Sequence, residues 1–545
     1  MNTFFFRPLI PTLSIFIFLA CSSGQPYRIA KPMDLTESGS SPSISSITDL
    51  GNAEVPTAGN ISLTGSNQEA IIGELLFIQG KAFGRGPSVS VGGLPAVVLA
   101  RTENGGILTR VPAGVAAGSQ NVVVSTHKGV SSLAFRFRRF AAAGSPGNHK
   151  VILLEAPSFE EAATIDAGAD PAFLEFSRTK PLLYIVTRTP VSCLQKASGN
   201  ACVPKLLTVD LTLPGFPVIQ NQNLLPGTVI GFSLAKTLDR ALVATSTGLQ
   251  VINLEYRTPI VHRKAGWAAN VQGKDVLQAL LSPDGKTAAV LMRTGNNLAL
   301  YDVDVPDVPK AGPVVNLLPE EKAPLLRSMI FFSTRSLQTL YVAVGDTPES
   351  LSVGWHPASL LIAELISARD RTVDPELKVQ STIPLPQEKV APLHLALANQ
   401  GATEVEDTQR TEWTHFLYIA LAHGELMSLS QNPLDTPSGL QMGVELIDNL
   451  KTIGFLSRMD HKQNYKNFSS DPALIGALRL AHHGKDLLSI RCVPHGKKEP
   501  LEIVFECGLH LMKLESGKGD FRPMGKLDRS LFQSPFSFGA VAVQE

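Results

Sequence analysis

The chain of 545 residues carries no excess of either charge, with 48 Lys and Arg set against 48 Asp and Glu. A balanced surface gives no general attraction to polyanions, so nucleic acid is not an expected partner. Cysteine is scarce, with five in the chain. None lies in a CxxC spacing, so no metal site is expected. GxSxG, HExxH and the dinucleotide-binding glycine pattern are all missing, which leaves no residue to assign as catalytic and no cofactor to expect. Apolar runs of the roughly 20 residues needed to cross a bilayer as a helix are also lacking.

What the chain does have is 44 Gly and 38 Pro, spread as turn punctuation between short apolar runs, with 44% hydrophobic residues overall. That pattern predicts an all-β protein with many short strands. The length predicts more than one core.

The first residues read MNTFFFRPLIPTLSIFIFLAC. Arg7 supplies a positive start, and Leu9 to Leu19 form an apolar stretch of signal-peptide length. The ending FLAC resembles a bacterial lipobox, with Phe18 where Leu is usual. The resemblance implies that residues 1–20 are a signal peptide and that Cys21 receives lipid. Ser22 in place of Asp implies an outer-membrane destination, periplasmic or surface-exposed. A membrane partner, held through a lipid anchor, is therefore expected; stable anchoring needs more than one acyl chain.

Residues 21–58 are rich in Ser, Gly, Pro and Thr and read as a flexible linker. From 59 to 141 short alternating runs follow, including LLFIQG, SVSVGG, QNVVVST and LAFRFRRF. Ile78-Gln79-Gly80, Phe83-Gly84, Val91-Gly92-Gly93, Val111-Pro112, Gly118 and the strand ending near Phe137 resemble an IPT/TIG domain. The resemblance implies an immunoglobulin-like β-sandwich used as a spacer or binding module. Arg136, Arg138 and Arg139 alternate there with Phe135, Phe137 and Phe140, and the arginines read as an exposed face opposite a buried one.

From 148 to 545 a unit of apolar strand, polar turn and further apolar strands recurs six times. Its clearest copy is VLQALLSPDGKTAAVLMRTGNNLALYDVDVP, Val276 to Pro306. These copies resemble YVTN/WD-like repeats, with SPDGK at Ser282 to Lys286 the most typical element. The resemblance implies a β-propeller. Seven blades are expected, the seventh closed by PFSFGAVAVQ near the end of the chain and KVILLEA near residue 150.

Beyond Cys21 the cysteines are Cys193, Cys202, Cys492 and Cys507. Four allow three pairings. Each close pair flanks a turn-rich stretch, so in an oxidising compartment disulfides Cys193–Cys202 and Cys492–Cys507 are expected.

Other patterns resolve to ordinary structure. Gly285-Lys286-Thr287 has Leu280 where a phosphate loop needs Gly, so it reads as a turn. Asp302, Asp304 and Asp307 have Pro306 among them, which breaks a calcium loop. His482-His483 falls in a surface turn, and Trp267, Trp355 and Trp413 read as packing residues. An anchor, a spacer and a ring point to a binding or scaffolding module for an envelope protein or glycan. The alternatives are a lactonase-like propeller hydrolase, which would gather His and carboxylates at the channel mouth, and a docking subunit of an outer-membrane assembly complex.

Overall fold

The computed structural model describes residues 27–28, 40–53, 60–61, 68–188, 203–385 and 541–544 apart from short loops, and between 392 and 532 it describes strand backbones. Leu395 and Ile419 are the only side chains placed in that last region. Among the described residues the chain is all-β, with short 3-10 turns and no α-helix. No helix there is long and apolar enough to cross a membrane.

Strand follows apolar patterning closely. Leu182–Thr187, LLYIVT, is buried at all six positions, as is Thr287–Met292, TAAVLM. Such strands, covered on both faces, read as continuous apolar runs in place of an alternation. Outer strands such as Val218–Asn223, VIQNQN, show exposed and half-buried positions only.

Six antiparallel four-stranded sheets occupy 171–223, 229–266, 276–316, 326–384, 392–447 and 474–532. Each coincides with one of the six sequence copies. The first strand of each sheet contacts the first strand of the next, and the first strand of the sixth contacts Val541–Val543, which in turn contacts Pro171–Phe176. The order of contacts is a closed circuit, here called the ring. Its last member is a set of four strands: Val541–Val543, the end of Gly129–Ser145, Lys150–Ala156 and Glu160–Asp166.

The cores lie between neighbouring sheets. One joins Leu291 and Leu300 of the third sheet to Leu340, Val342 and Leu361 of the fourth. Others join Tyr184 to Phe232 and Val243, Leu242 and Val251 to Val290, and Tyr341 and Ile362 to Leu395 and Ile419. A sheet buried this way cannot leave the ring without exposing two apolar faces.

Ahead of the ring, besides the short pair Tyr27–Arg28 with Asn60–Ile61, stand two further groups of strands. Ser43–Asp49, Leu75–Lys81, Ile107–Arg110 and Val98–Arg101 form one sheet. Leu94–Ala96, Ser88–Val91, Gly118–Thr126, the start of Gly129–Ser145, and Glu69–Ile71 form the other. One core, with Leu76, Ile78, Phe83, Val91, Ile107, Val122, Val124 and Phe137, fills the space between them. This two-sheet body is called the sandwich below.

Three placements differ from the sequence expectations. Ser43–Asp49 lies within the stretch read as linker, yet it pairs with Leu75–Lys81. A register shift between Ile44 and Ser46 explains this, because it lets Ile44 and Ile47 both reach the core despite their odd spacing. Second, the boundary expected at 141–148 falls inside a single strand. Gly129–Ser145 pairs in the sandwich through its first half and in the ring from Arg139 onward. Ala141, Ala142 and Ala143 are fully buried in the ring. Third, Arg139 is 2% exposed and not part of an open basic face. Alternation fails there because the strand passes from one sheet to the other between Arg138 and Arg139.

Candidate functional site

The SPDGK turn shows how sequence builds one joint of the ring. Pro283 and Asp284 occupy the centre of a tight turn, with the Gly285 N–H donating to Ser282 O at 2.8 Å. Gly285 follows at φ +72°, a backbone region that favours glycine. The Asp284 carboxylate accepts the Ser282 hydroxyl at 2.6 Å and the Lys286 N–H at 3.1 Å. Its other oxygen accepts Gln338 Nε2 from the next sheet at 2.8 Å. Burial works against this carboxylate, but the donors on Ser282, Lys286, Ser367 and Gln338 outweigh it and hold its pKa below the ordinary range.

Similar side-chain clasps recur between sheets. Gln278 on the third sheet accepts Met329 N–H at 2.7 Å and donates to Met329 O at 3.1 Å on the fourth. Ser233 on the second sheet accepts Leu281 N–H of the third at 3.1 Å. Arg240 donates to Gly285 O at 2.6 Å and pairs with Asp304 at 3.3 Å.

The first strands carry a repeated irregularity. In all six sheets the pairing of first and second strands shifts by one residue near the strand start. The extra residues are Ala172, Ile230, Leu277, Arg327, Leu393 and Gly476. A bulge adds twist and re-aims the residue it inserts, and bulges concentrate at rims. The six bulges stand at equivalent points, the starts of the strands that touch one another around the ring, and this band of strand starts is called the mouth. Ala172, Ile230, Leu277 and Arg327 are half-buried there, and Ile230 and Leu277 also pack against the cores between sheets. The Arg327 Nε donates to Gly345 O at 2.7 Å, which ties its guanidinium to the same mouth. This mouth is the candidate site, and its described positions carry aliphatic side chains and one cation. Sequence reading missed it because a bulge residue has no type signature; it is visible only once the pairing register is known.

The residues singled out from the sequence fare differently. Among the described residues no group of three His, Cys, Asp or Glu side chains could hold a metal ion. Asp302 accepts the Asp304 N–H at 2.9 Å, an Asx turn at a strand end, and Asp304 faces Arg240. Trp267 stacks edge-on against Tyr301 at 6.1 Å and donates its indole N–H to Thr245 O at 3.1 Å, a packing role. Arg136 pairs with Glu69 at 3.1 Å, and Arg138 makes a two-pronged contact with Glu155 at 2.9 and 2.7 Å. Cys492 and Cys507 face each other as register partners on adjacent strands. Residues 1–20, Cys21, Cys193, Cys202, Asp307, the His482-His483 pair and Trp355 lie outside the described residues, and Trp413 is described only as strand backbone.

The comparisons with known proteins are sparse in sequence and broader in structure. No family model matches the chain, and no curated protein matches it. Solved structures similar to it include β-propeller proteins. The periplasmic gluconolactonase of Pseudomonas aeruginosa overlaps at TM-score 0.43 and 11% identity, covering 75% of this chain and 99% of the other. A putative 6-phosphogluconolactonase from Bacteroides uniformis overlaps at TM-score 0.39 and 13% identity, covering 71% and 95%. A β-propeller domain from Myceliophteria thermophila overlaps at TM-score 0.41 and 11% identity, covering 66% and 86%. Overlaps this loose say nothing about what this chain binds.

Proposed function

We propose that the chain is a lipid-anchored binding or scaffolding module of the bacterial cell envelope, in which a seven-bladed β-propeller presents its bulge-lined mouth to a protein or glycan partner. The observation that carries the reading is the mouth itself. Six equivalent positions, fixed by six equivalent bulges, carry different side chains, with Ala172, Ile230, Leu277 and Arg327 the described ones. A rigid frame with variable positions at one rim suits recognition, since the surroundings hold each contact residue in place. The closed circuit of sheet contacts supports seven blades, counting Val541–Val543 with the strands at 139–166 as the seventh. The two-sheet core supports an immunoglobulin-like fold for the sandwich.

In this reading Cys21 carries the lipid, and the linker and sandwich hold the ring away from the membrane. Disulfides Cys193–Cys202 and Cys492–Cys507 belong to the same exported setting. For the second pair the support is that Cys492 and Cys507 are register partners on neighbouring antiparallel strands, a relation whose usual Cα separation of about 4.5–5.5 Å falls inside the range a disulfide spans.

The test is a crosslinking pull-down of the lipidated protein from intact cells, run beside Cys21→Ala and Ala172→Glu. A partner captured reproducibly by the wild type, and lost from both variants, is the expected result. A partner unaffected by Ala172→Glu would move the binding surface off the mouth. Hydrolysis of a lactone by the purified protein, with no specific partner, would replace the binding reading with the hydrolase. Peptide mapping without reductant checks the two disulfides.

A further inference from the structure

The sandwich meets the ring along a seam that is unusually rich in buried charge. Asp49, Glu74 and Asp210 are each at most 2% exposed. They come from the end of Ser43–Asp49, the turn before Leu75–Lys81, and the end of Lys205–Asp210 in the first sheet of the ring. The turn Ile71 to Glu74 is the wedge. The Glu74 carboxylate accepts the Ile71 N–H at 2.7 Å, and the Glu74 N–H donates to Ile71 O at 3.1 Å. Gly73 sits at φ +85°, so close to the ring that a Cβ there would lie 2.5 Å from the Lys180 carbonyl carbon. Across the seam Asn52 Nδ2 donates to Asp210 at 3.2 Å, and Thr212 closes the other Asp210 oxygen with its N–H at 2.9 Å and hydroxyl at 2.6 Å.

The charged groups around Glu74 come from every element packed on it. Asp49 and Asp210 face it with like charge. Arg110 reaches the wedge but gives a donor to Gly73 O, and it also feels Asp239 of the second sheet. Arg138 feels Glu74 at longer range while bound to Glu155 and near Glu69. Lys180 abuts the wedge with its backbone and turns its ammonium to Leu254 O.

One strand crosses from body to body, Gly129–Ser145, and the seam lies apart from it in sequence at 49–52, 71–74, 177–180 and 210–212. A latch beside a continuous strand has the parts of a hinged joint. We propose that this seam is a proton-operated latch: with a proton on Glu74 the sandwich stays closed on the first sheet of the ring, and losing that proton sets Glu74 against Asp210 across the seam and lets the two bodies part about the shared strand.

The direction follows from linkage. Burial first, then the like charges of Asp49 and Asp210, push the Glu74 carboxyl up to about 8 from its ordinary 4.5 when the seam is closed. An opened seam wets the group and restores the ordinary value. Closure is therefore fully favoured below pH 4.5, weakens as pH rises, and stops changing above 8. Between those limits the opening constant rises by about tenfold per pH unit.

Hydrogen exchange by mass spectrometry on the full chain, wild type against Glu74→Gln, tests this. Dividing the two at each pH removes the pH dependence of chemical exchange. From pH 5.5 to 7.5 the wild-type to variant ratio is expected to climb by up to about 100-fold in peptides covering 49–52, 71–75 and 177–180. Peptides in the second and third sheets, around Val243 and Val290, should hold a constant ratio. A flat ratio at the seam would overturn the latch, and so would a rise shared equally by all sheets. Should Glu74→Gln fail to fold, Asp49→Asn supplies the second arm. Removing one like charge lowers the closed-state pKa, so the plateau begins at lower pH. A plateau unmoved by Asp49→Asn would also overturn it.

Discussion

The joint between the third and fourth sheets is almost wholly apolar, with Leu291, Leu300, Val342 and Leu361 at its centre. The seam between sandwich and ring buries Asp49, Glu74 and Asp210 beside Ile71, which packs into the core of the first ring sheet. The first joint gains from the removal of apolar surface from water, a gain that involves no titrating group and so does not change with pH. The second must satisfy each desolvated charge by a specific donor or acceptor, and it loosens whenever one of those changes state. A ring whose sheets must not part uses the first material. A contact beside a shared strand can use the second, because that strand keeps the two bodies together when the contact yields.

The sharpest way to break that contrast is to damage the apolar joint. Leu300 is fully buried between two sheets, and Leu300→Ala should cost about 2–5 kcal/mol through lost transfer free energy and the cavity left behind. Chemical denaturation at pH 5 and pH 8 should give the same loss at both. A loss that differs between them by more than the error would mean the apolar joint also depends on a titrating group.

At the seam the sign reverses. At pH 7 the closed protein keeps a proton on Glu74 that the unfolded chain has released, since the group sits at about 8 in place of 4.5. Every tenfold difference in proton affinity between two states is worth about 1.4 kcal/mol, so Glu74→Gln should stabilise the protein by about 1–3 kcal/mol at pH 7. The gain should fade toward pH 4, where both states hold the proton. Thermal unfolding of the two proteins across that range reads it directly. A variant that destabilises at pH 7 would show that the Ile71 N–H needs the carboxyl for reasons other than charge.

Gln278 tests whether the ring joint is purely apolar. Its amide holds both the N–H and the C=O of Met329 across the joint. Gln278→Ala should cost about 1–2 kcal/mol, because those backbone groups lose partners in a half-dry setting. Gln278→Glu keeps the acceptor and loses the donor, so it should recover part of that loss.

How far the chain could be read in advance depends on how local each feature is. The SPDGK turn is spelled out within six residues, and the structure forms it from those residues with outside contacts from Gln338, Ser367 and Arg240. Strands such as LLYIVT and TAAVLM are equally explicit because burial on both faces leaves an unbroken apolar run. Ser43–Asp49 was hidden by a bulge that spoils its alternation. The seam was hidden altogether, since Asp49, Glu74 and Asp210 are separated by long stretches of chain and none has a telling neighbour. The mouth falls between these cases. Its strands were legible, but the bulge that selects Ile230 over Val229, or Arg327 over Leu326, is a property of pairing and not of composition.

The smallest expected effect sits where the two materials meet, at Asp284. This carboxylate caps a turn of the third sheet and accepts Gln338 of the fourth, so it is a charged group placed at the rim of an apolar joint. Its donors hold its pKa below the usual 3.8, against the pull of burial. A depressed carboxylate contributes stability above its unfolded pKa and loses it as pH falls through the folded value. Asp284→Ala should therefore cost about 1 kcal/mol at pH 7, and the gap between variant and wild type should narrow as pH drops below 4. Asp284→Asn, which keeps an acceptor for the Lys286 N–H, should sit between them at pH 7. If Asp284→Ala costs the same at pH 3 as at pH 7, the group acts through turn geometry alone. The charge at the rim would then be incidental, and the contrast between the two joints would hold without exception.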